Sequence, residues 1–126
     1  MSIREGDHIP HSVISQMSDE GPQTISTEDY FSGRKVVLFS VPGAFTPTCS
    51  AYHLPGFIEH LQEIRGKGVD AVACMSVNDV FVMHAWGKSV DAEGIDMLAD
   101  GNGDLASALG LELDGTAFGM GKRSQR

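Results

Sequence analysis

Apolar residues along the chain follow two alternating patterns, one typical of strands and one typical of helices. Short apolar runs rich in β-branched residues predict buried strands at residues 36–39, 69–77 and 95–99. Helical spacing of apolar residues follows each run and predicts helices at residues 49–66, 78–86 and 105–109. Weaker alternation predicts an earlier hairpin at residues 12–17 and 23–26, followed by a helical turn that Ser26 caps.

This β-α-β order predicts a single α/β domain with a mainly parallel central sheet and helices on both faces. The run at residues 69–77 is apolar on both faces, which is typical of a central parallel strand covered by helices. Pro55 lies inside the predicted helix at residues 49–66 and is expected to bend or interrupt it. The glycine-rich residues 115–121 predict a flexible loop. A chain of 126 residues with 41% hydrophobic content suits one domain with one core.

The acidic, glycine-rich residues 100–104 have two interpretations. They form either a turn that caps the helix at residues 105–109 or a calcium-binding loop. A calcium loop needs more carboxylates and a distal glutamate, so we expect the turn. Neither a metal nor another cofactor is therefore expected.

Charge and cysteine content exclude several functional classes. The net charge of −8 and the pI of about 4.9 argue against binding to nucleic acid or to anionic membranes. No apolar run approaches the ~20 residues of a membrane helix, and the first residues lack the apolar core of a signal peptide. The two cysteines show neither a disulfide framework nor zinc-ligand spacing. Low cysteine content fits a reducing compartment, so a cytoplasmic location is expected.

The functional prediction depends on residues 36–49, VVLFSVPGAFTPTC. A strand runs into a loop broken by Pro42 and Gly43, and the loop opens a helix that has Cys49 in its first turn. The unpaired N–H groups of a helix N-terminus favour an anion, so a cysteine there has a lowered pKa and is nucleophilic. A small apolar core residue is the competing interpretation, and placement alone favours neither. The hydroxyl of Thr46 can cap the helix or face inward toward thiolate and substrate.

The stretch Pro42-Gly-Ala-Phe-Thr46-Pro-Thr-Cys49 resembles the Pro-x-x-x-Thr-x-x-Cys signature of peroxiredoxins, and PGAFTPTCSAYHLPGF resembles the peroxiredoxin 5 subfamily in particular. Further matching strings follow in the same order, VND at residues 77–79, AWG at residues 85–87 and GTAFG at residues 115–119. The resemblance implies a thioredoxin-like fold. It also implies that a strand, a turn, another strand and a final helix would follow Arg126. The chain is therefore expected to be a truncated form or a naturally short one whose missing elements a partner replaces.

The resemblance further implies a thiol peroxidase that reduces hydrogen peroxide and organic hydroperoxides. Cys49 would be the nucleophile and would become a sulfenic acid, while Thr46 would orient the peroxide. Arg126 would lower the thiolate pKa and stabilise the charge on the leaving oxygen. Arg123 is the candidate for that role if Arg126 lies outside the site. Pro42, which lacks an N–H, would shield the pocket.

Aromatic residues near the predicted loops are candidates for the pocket wall or for a contact between subunits. The resemblance places His53 near the pocket, where a structural hydrogen bond is preferred over proton transfer. Phe45, Trp86 and Phe118 are expected in or near loops. They would line the peroxide pocket or form the contact of a homodimer, with burial in the core as the competing interpretation.

Cys74, the other cysteine, lies in the middle of an apolar strand run, so a buried structural residue is expected rather than a resolving thiol. The chain is therefore interpreted as a one-cysteine peroxidase. Its sulfenic acid would be reduced by glutathione with glutaredoxin or by thioredoxin, and the sequence does not distinguish these partners.

Two other functions remain open on the sequence alone. A thioredoxin-like dithiol oxidoreductase would require a Cys-x-x-Cys motif, but Thr46 stands three residues before Cys49. A catalytically impaired fragment that keeps the fold as a binding or assembly module is the other alternative. Its support is the segment that relatives have after the position of Arg126.

Overall fold

The computed structural model of the chain describes residues 2–48 and 52–126, whose strands form a five-stranded sheet and a separate hairpin. The strands are β1 (Val13–Ser18), β2 (Gly21–Ser26), β3 (Val36–Ser40), β4 (Ala71–Ser76), β5 (Ile95–Ala99), β6 (Glu112–Asp114) and β7 (Lys122–Ser124). The helices are α1 (Thr27–Phe31), α2 (Leu54–Glu59), α3 (Leu61–Arg65), α4 (Val80–Ser89) and α5 (Asp104–Ala108). In the described ranges, no helix combines the length and the apolar content needed to cross a membrane.

The larger sheet has the order β2-β1-β5-β4-β3. β3, β4 and β5 are parallel, whereas β1 is antiparallel to both β5 and β2. This arrangement confirms the predicted α/β fold with its N-terminal hairpin, and the sheet as a whole is mixed. Ser40 lies beside Met75 in the register of β3 and β4, so the segments after these strands leave the sheet at the same edge.

β4 is the central strand, and hydrophobic cores pack on both of its faces. All six of its residues are buried, and alternate residues face opposite sides of the sheet. Val72 and Cys74 belong to the core covered by α2, α3 and α4, while Ala73 and Met75 belong to the core covered by α1 and α5. Cys74 is 0% exposed, which confirms the prediction of a buried position in a central strand.

α4 begins two residues after the predicted start at Asn78, with Asp79 as its N-cap. The carboxylate of Asp79 accepts a hydrogen bond from the N–H of Val82 at 2.8 Å. The helix continues past Trp86, and helical spacing from Val80 and Met83 turns this residue inward, where it is 0% exposed. The prediction that Trp86 lies in or near a loop and contributes to a subunit contact is therefore wrong.

The part of the predicted helix at residues 49–66 that the structure describes consists of two short helices. α2 and α3 are separated at His60, whose N–H bonds the carbonyl of Gly56 at 3.2 Å. Pro55 lies in the first turn of α2, directly after Tyr52 and His53, whose backbone is π-helical. The change from π-helical to α-helical backbone beside Pro55 agrees with the predicted bend or interruption there, and a second break follows at His60.

β6 and β7 pair as an antiparallel hairpin that the sequence did not predict. Residues 115–121, predicted as a flexible loop, connect these strands and include a 3₁₀ turn at Thr116–Phe118. Gly119 and Gly121 have φ of 70° and 65°, a left-handed conformation that glycine adopts without steric cost. Each strand has only three residues, too few for a periodic pattern to be recognised.

Asp100 confirms that residues 100–104 form a turn and a cap for α5. Its carboxylate is 1% exposed and accepts hydrogen bonds from Leu105 N at 3.0 Å and Ala106 N at 2.8 Å. Among residues 2–48 and 52–126, no group of three or more His, Cys, Asp or Glu side chains is placed to hold a metal ion.

Candidate active site

The loop that follows β3 carries most of the predicted site residues, and the end of β4 fixes its position. Ala44 N donates a hydrogen bond to Asn78 Oδ1 at 3.0 Å. The hydroxyl of Ser76 donates to the same oxygen at 2.6 Å. Because Ser76 is the last residue of β4 and is fully buried, the loop is tied to the rigid centre of the sheet.

Thr46 has a defined hydroxyl orientation. Its Oγ1 donates to the carbonyl oxygen of Gly43 at 2.7 Å. A hydroxyl has one proton to donate and two lone pairs, so the lone pairs of Thr46 are the part of the group that can bind a ligand proton. The predicted capping role depends on N–H groups that include that of Cys49, which lies outside the described residues.

A cavity of about 440 Å³ lies beside this loop and brings together four of the predicted site residues. These four are Pro42, Thr46, Phe118 and Arg126. The remaining lining residues are Pro47, Thr48, Leu113, Asp114, Gly115, Met120 and Arg123. The loop after β3 thus forms one wall, and the β6–β7 hairpin with the residues after it forms the other.

Two arginines and one carboxylate set the charge of the cavity. Arg123 is held by backbone carbonyls, since its Nε donates to Met120 O at 2.9 Å and its Nη1 donates to Val77 O at 3.3 Å. Arg126 lines the same cavity, and Asp114 contributes the carboxylate. The charged side chains of the lining therefore leave one positive charge in excess, which favours an anion such as a thiolate.

His53 lines a second cavity, of about 330 Å³, and not the one that holds the arginines. The centroid of its ring lies 5.3 Å from that of Phe39 and 5.8 Å from that of Phe57. Burial, and to a lesser extent the positive charge of Arg126, lower the pKa of His53 below its usual value. Burial therefore favours the neutral form of the imidazole. Its buried Nδ1 has no hydrogen-bond partner in the part of the chain that the structure describes.

The two exposed phenylalanines of the predicted site differ in position. Phe118 lines the cavity and is 84% exposed. Phe45 is 54% exposed and is not among the lining residues, and its ring centroid lies 6.5 Å from that of Trp86. Its φ of 63° is in the left-handed region, which a bulky side chain rarely adopts, so the loop is strained at this residue.

Cys49, the predicted nucleophile, lies outside the described residues. Pro47 and Thr48, which precede it, are helical and line the cavity. Of the signature at residues 42–49, the cavity is lined by Pro42, Thr46, Pro47 and Thr48, the last of which directly precedes Cys49.

Leu113 and Met120 are cavity residues that the sequence analysis did not identify, and it named Arg123 only as a substitute for Arg126. All three belong to the unpredicted β6–β7 hairpin. The signal in the sequence that could have indicated Arg123 is its spacing of three residues from Arg126, after a glycine-rich stretch.

Comparison with known proteins identifies the class to which this fold and cavity belong. The Redoxin family model matches residues 4–126. Peroxiredoxin-2B of Arabidopsis thaliana is 49% identical, over 98% of this chain and 78% of the relative. The crystal structure of reduced Prx3 in complex with H2O2 from Vibrio vulnificus has a TM-score of 0.95 at 52% identity, over 98% of this chain and 78% of that chain. Peroxiredoxin 5 from Alvinella pompejana has a TM-score of 0.88 at 39% identity, over 98% of this chain and 79% of that chain.

The sheet and these similarities define a thiol peroxidase with a thioredoxin-like fold. The chain belongs to the peroxiredoxin family. The family resemblance drawn from residues 42–49, including the likeness to peroxiredoxin 5, is thereby confirmed.

Proposed function

We propose that the protein reduces hydrogen peroxide and organic hydroperoxides with the thiolate of Cys49. The observation that carries the proposal is the cavity that unites Pro42, Thr46 and Arg126 and continues to the residue before Cys49. A nucleophile beside this cavity would have a hydroxyl and a cation in the lining of the same cavity. A hydroxyl can orient the peroxide, and a cation can stabilise the charge that develops on the leaving oxygen as the O–O bond breaks.

In the proposed reaction the Cys49 thiolate attacks the terminal oxygen of a hydroperoxide, R–O–OH. The O–O bond breaks, sulfur takes the OH group as a sulfenic acid, and the leaving RO⁻ is protonated to an alcohol or, from hydrogen peroxide, to water. Thr46 donates its own proton to Gly43, so its lone pairs accept the peroxide proton and orient the attacked oxygen. Arg126 stabilises first the thiolate and then the leaving oxygen. Pro42 offers no N–H to water and shields the thiolate.

The size and lining of the cavity support organic hydroperoxides as substrates besides hydrogen peroxide. A volume of about 440 Å³ is far larger than the ~30 Å³ that a water molecule takes up in the liquid, so an organic substituent can be accommodated. Leu113, Phe118 and Met120 provide apolar surface for it.

The sulfenic acid would then be reduced by an external thiol. Cys74 is 0% exposed in the central strand, so it cannot reach a sulfenic acid unless the sheet opens. We propose glutathione with glutaredoxin, or thioredoxin, as the reductant. A coupled assay with each system separately identifies the one that sustains turnover.

A single-turnover oxidation tests this function. One equivalent of peroxide without thiol is expected to give a monomer that is heavier by one oxygen, with the oxygen on the peptide that contains Cys49. The Cys49→Ser variant, as the control, is expected to keep its mass. A monomer lighter by two hydrogens, with Cys49 and Cys74 in one linked peptide, would refute the one-cysteine mechanism. An unchanged mass of the parent would refute the peroxidase function of this chain.

We also propose that the protein forms a homodimer through the surface around Phe45 and Phe118. Both side chains are large, apolar and more than half exposed, as is typical of interface anchors. Light scattering at micromolar concentration is expected to give the mass of a dimer for the parent. The double variant Phe45→Ser, Phe118→Ser is expected to give the mass of a monomer.

Phe81 offers a matched control for the dimer, because it is 63% exposed on α4. Phe81→Ser is expected to remain dimeric. A monomeric parent, or dissociation caused by Phe81→Ser and not by the double variant, would contradict this interface.

A further inference from the structure

Arg123 connects three parts of the cavity that are far apart in the sequence. It belongs to β7, and its Nε donates to Met120 O within the turn of the hairpin at 2.9 Å. Its Nη1 donates to Val77 O, directly after β4, at 3.3 Å. The same Nη1 lies next to Gly43 of the loop after β3. One guanidinium therefore bonds the hairpin turn and the residue directly after the central strand, and it lies beside the loop that carries Thr46.

Gly43 leaves the space that this guanidinium occupies. A Cβ atom at position 43 would lie 3.2 Å from Arg123 Nη1 and 3.1 Å from Thr46 Cγ2, closer than a relaxed contact allows. Gly43 also accepts the hydroxyl proton of Thr46 at 2.7 Å. The positions of Arg123 and Thr46 are thus coupled through a residue that lies between them.

The hairpin that forms one wall of the cavity has little internal support. Each of its strands has three residues, and an isolated two-stranded hairpin is marginally stable in water. Its position therefore depends on ties to the main sheet. One is the hydrogen bond from Arg123 to Val77 O, and another runs from Ser40 Oγ to Gln125 O at 2.5 Å.

We propose that Arg123 is a positioning residue for peroxide reduction, which fixes the hairpin wall and Arg126 at the correct distance from Thr46. The proposal rests on the peroxidase function proposed above. Arg126 follows Arg123 by three residues in the same segment, so an anchor at Arg123 limits the movement of the Arg126 guanidinium. Misplacement by about 1 Å is enough to slow a reaction up to a hundredfold, because the donors no longer match the transition state.

The test compares Arg123→Lys and Arg123→Gln with the parent. The rate constant for reaction with peroxide is measured by stopped flow at a pH where titration shows Cys49 to be fully ionised in each variant. Both variants are expected to react about tenfold more slowly, the effect of losing hydrogen bonds from a charged group. Lysine keeps the charge, but its three N–H donors share one nitrogen and cannot reproduce the fork geometry with which arginine bonds both carbonyls.

Lys122→Gln is the matched control. Lys122 is the neighbouring cation on β7, it pairs with Glu112 at 2.8 Å within the hairpin, and it does not line the cavity with the arginines. Its removal takes the same charge from the same strand, and the rate constant is expected to remain that of the parent. Thermal unfolding of each variant sets a temperature at which all of them are folded.

Gly43→Ala provides an independent arm. The added methyl group is expected to displace the Arg123 guanidinium and to slow the reaction on its own. In the Arg123→Lys background the same change is expected to have a smaller effect, because the displaced group is already absent.

Three results would overturn this proposal alone. If Arg123→Lys reacts with peroxide at the parental rate, Arg123 contributes only its charge. If Lys122→Gln loses as much of the rate constant as the Arg123 variants, Arg123 contributes only to the stability of the hairpin. Independent effects of Gly43→Ala and Arg123→Lys would remove the coupling through Gly43. A parent that consumes no peroxide would instead refute the peroxidase function itself, and the Arg123 proposal with it.

Discussion

Cys49→Ser is expected to abolish peroxide reduction, whereas Cys74→Ser is expected to retain most of it. A serine hydroxyl is not ionised at neutral pH and cannot become a sulfenic acid, so no turnover above background should remain. Cys74 is the register partner of Phe39 in β3 and of Met97 in β5, and it is 0% exposed. It is not among the residues that line the cavity. Steady-state peroxide consumption with each reductant measures both variants.

Buried serine introduces a polar group into a hydrophobic core, which costs about 1–3 kcal/mol of stability if the hydroxyl finds no partner. Cys74→Ala is therefore measured alongside Cys74→Ser, at a temperature where circular dichroism shows all variants folded. Inactivity of both folded Cys74 variants, together with an active Cys49→Ser, would mean that the two cysteines have the opposite roles.

Arg126→Ala is expected to raise the pKa of the Cys49 thiol and to slow the reaction with peroxide by about a hundredfold, the usual effect of losing one preorganised stabiliser of developing charge. The pKa of His53 should rise as well. Burial and the charge of Arg126 both lower that pKa, so removing the charge relieves one of the two effects. The second readout is measured on the imidazole of His53 and not on the thiol of Cys49.

Thiolate absorbance against pH gives the Cys49 titration, and NMR of the imidazole gives that of His53. Arg65→Ala is the control, since this arginine lies on α3 and donates to Gly94 O at 2.8 Å, away from the cavity. Coinciding Cys49 titration curves for the parent and Arg126→Ala would remove Arg126 from the site and leave Arg123 as its cation. An unchanged His53 titration curve would show that the charge of Arg126 does not lower the pKa of that imidazole.

The elements with strong local signals were predicted closely. β5 occupies Ile95–Ala99, the predicted residues, and Ser26 caps α1 by accepting a hydrogen bond from Asp29 N. The apolar run that predicts β4 is buried on both faces, as a central parallel strand must be. In each case the information lies within a few consecutive residues.

The errors concern features that depend on distant contacts. Trp86 is buried because α4 packs on the sheet, and the sequence alone does not state which helical face does so. The β6–β7 hairpin has too few residues for a pattern. Arg123 acquires its position from Val77, 46 residues earlier in the chain. The motif at residues 42–49 identified the family, yet the second wall of its cavity could be found only in three dimensions.

The complete burial of Cys74 also provides an internal reporter of opening of the core. In Cys49→Ser, Cys74 is the single thiol of the chain. An alkylating reagent reaches it when the layer of α2, α3 and α4 lifts off this face of the sheet or when the strands separate, so the alkylation rate under native conditions measures how often the core around β4 opens. Substitutions that loosen the hairpin alone leave this rate unchanged, whereas those that weaken the core increase it. The alkylation rate of Cys74 thus distinguishes a substitution that loosens the β6–β7 hairpin from one that weakens the core.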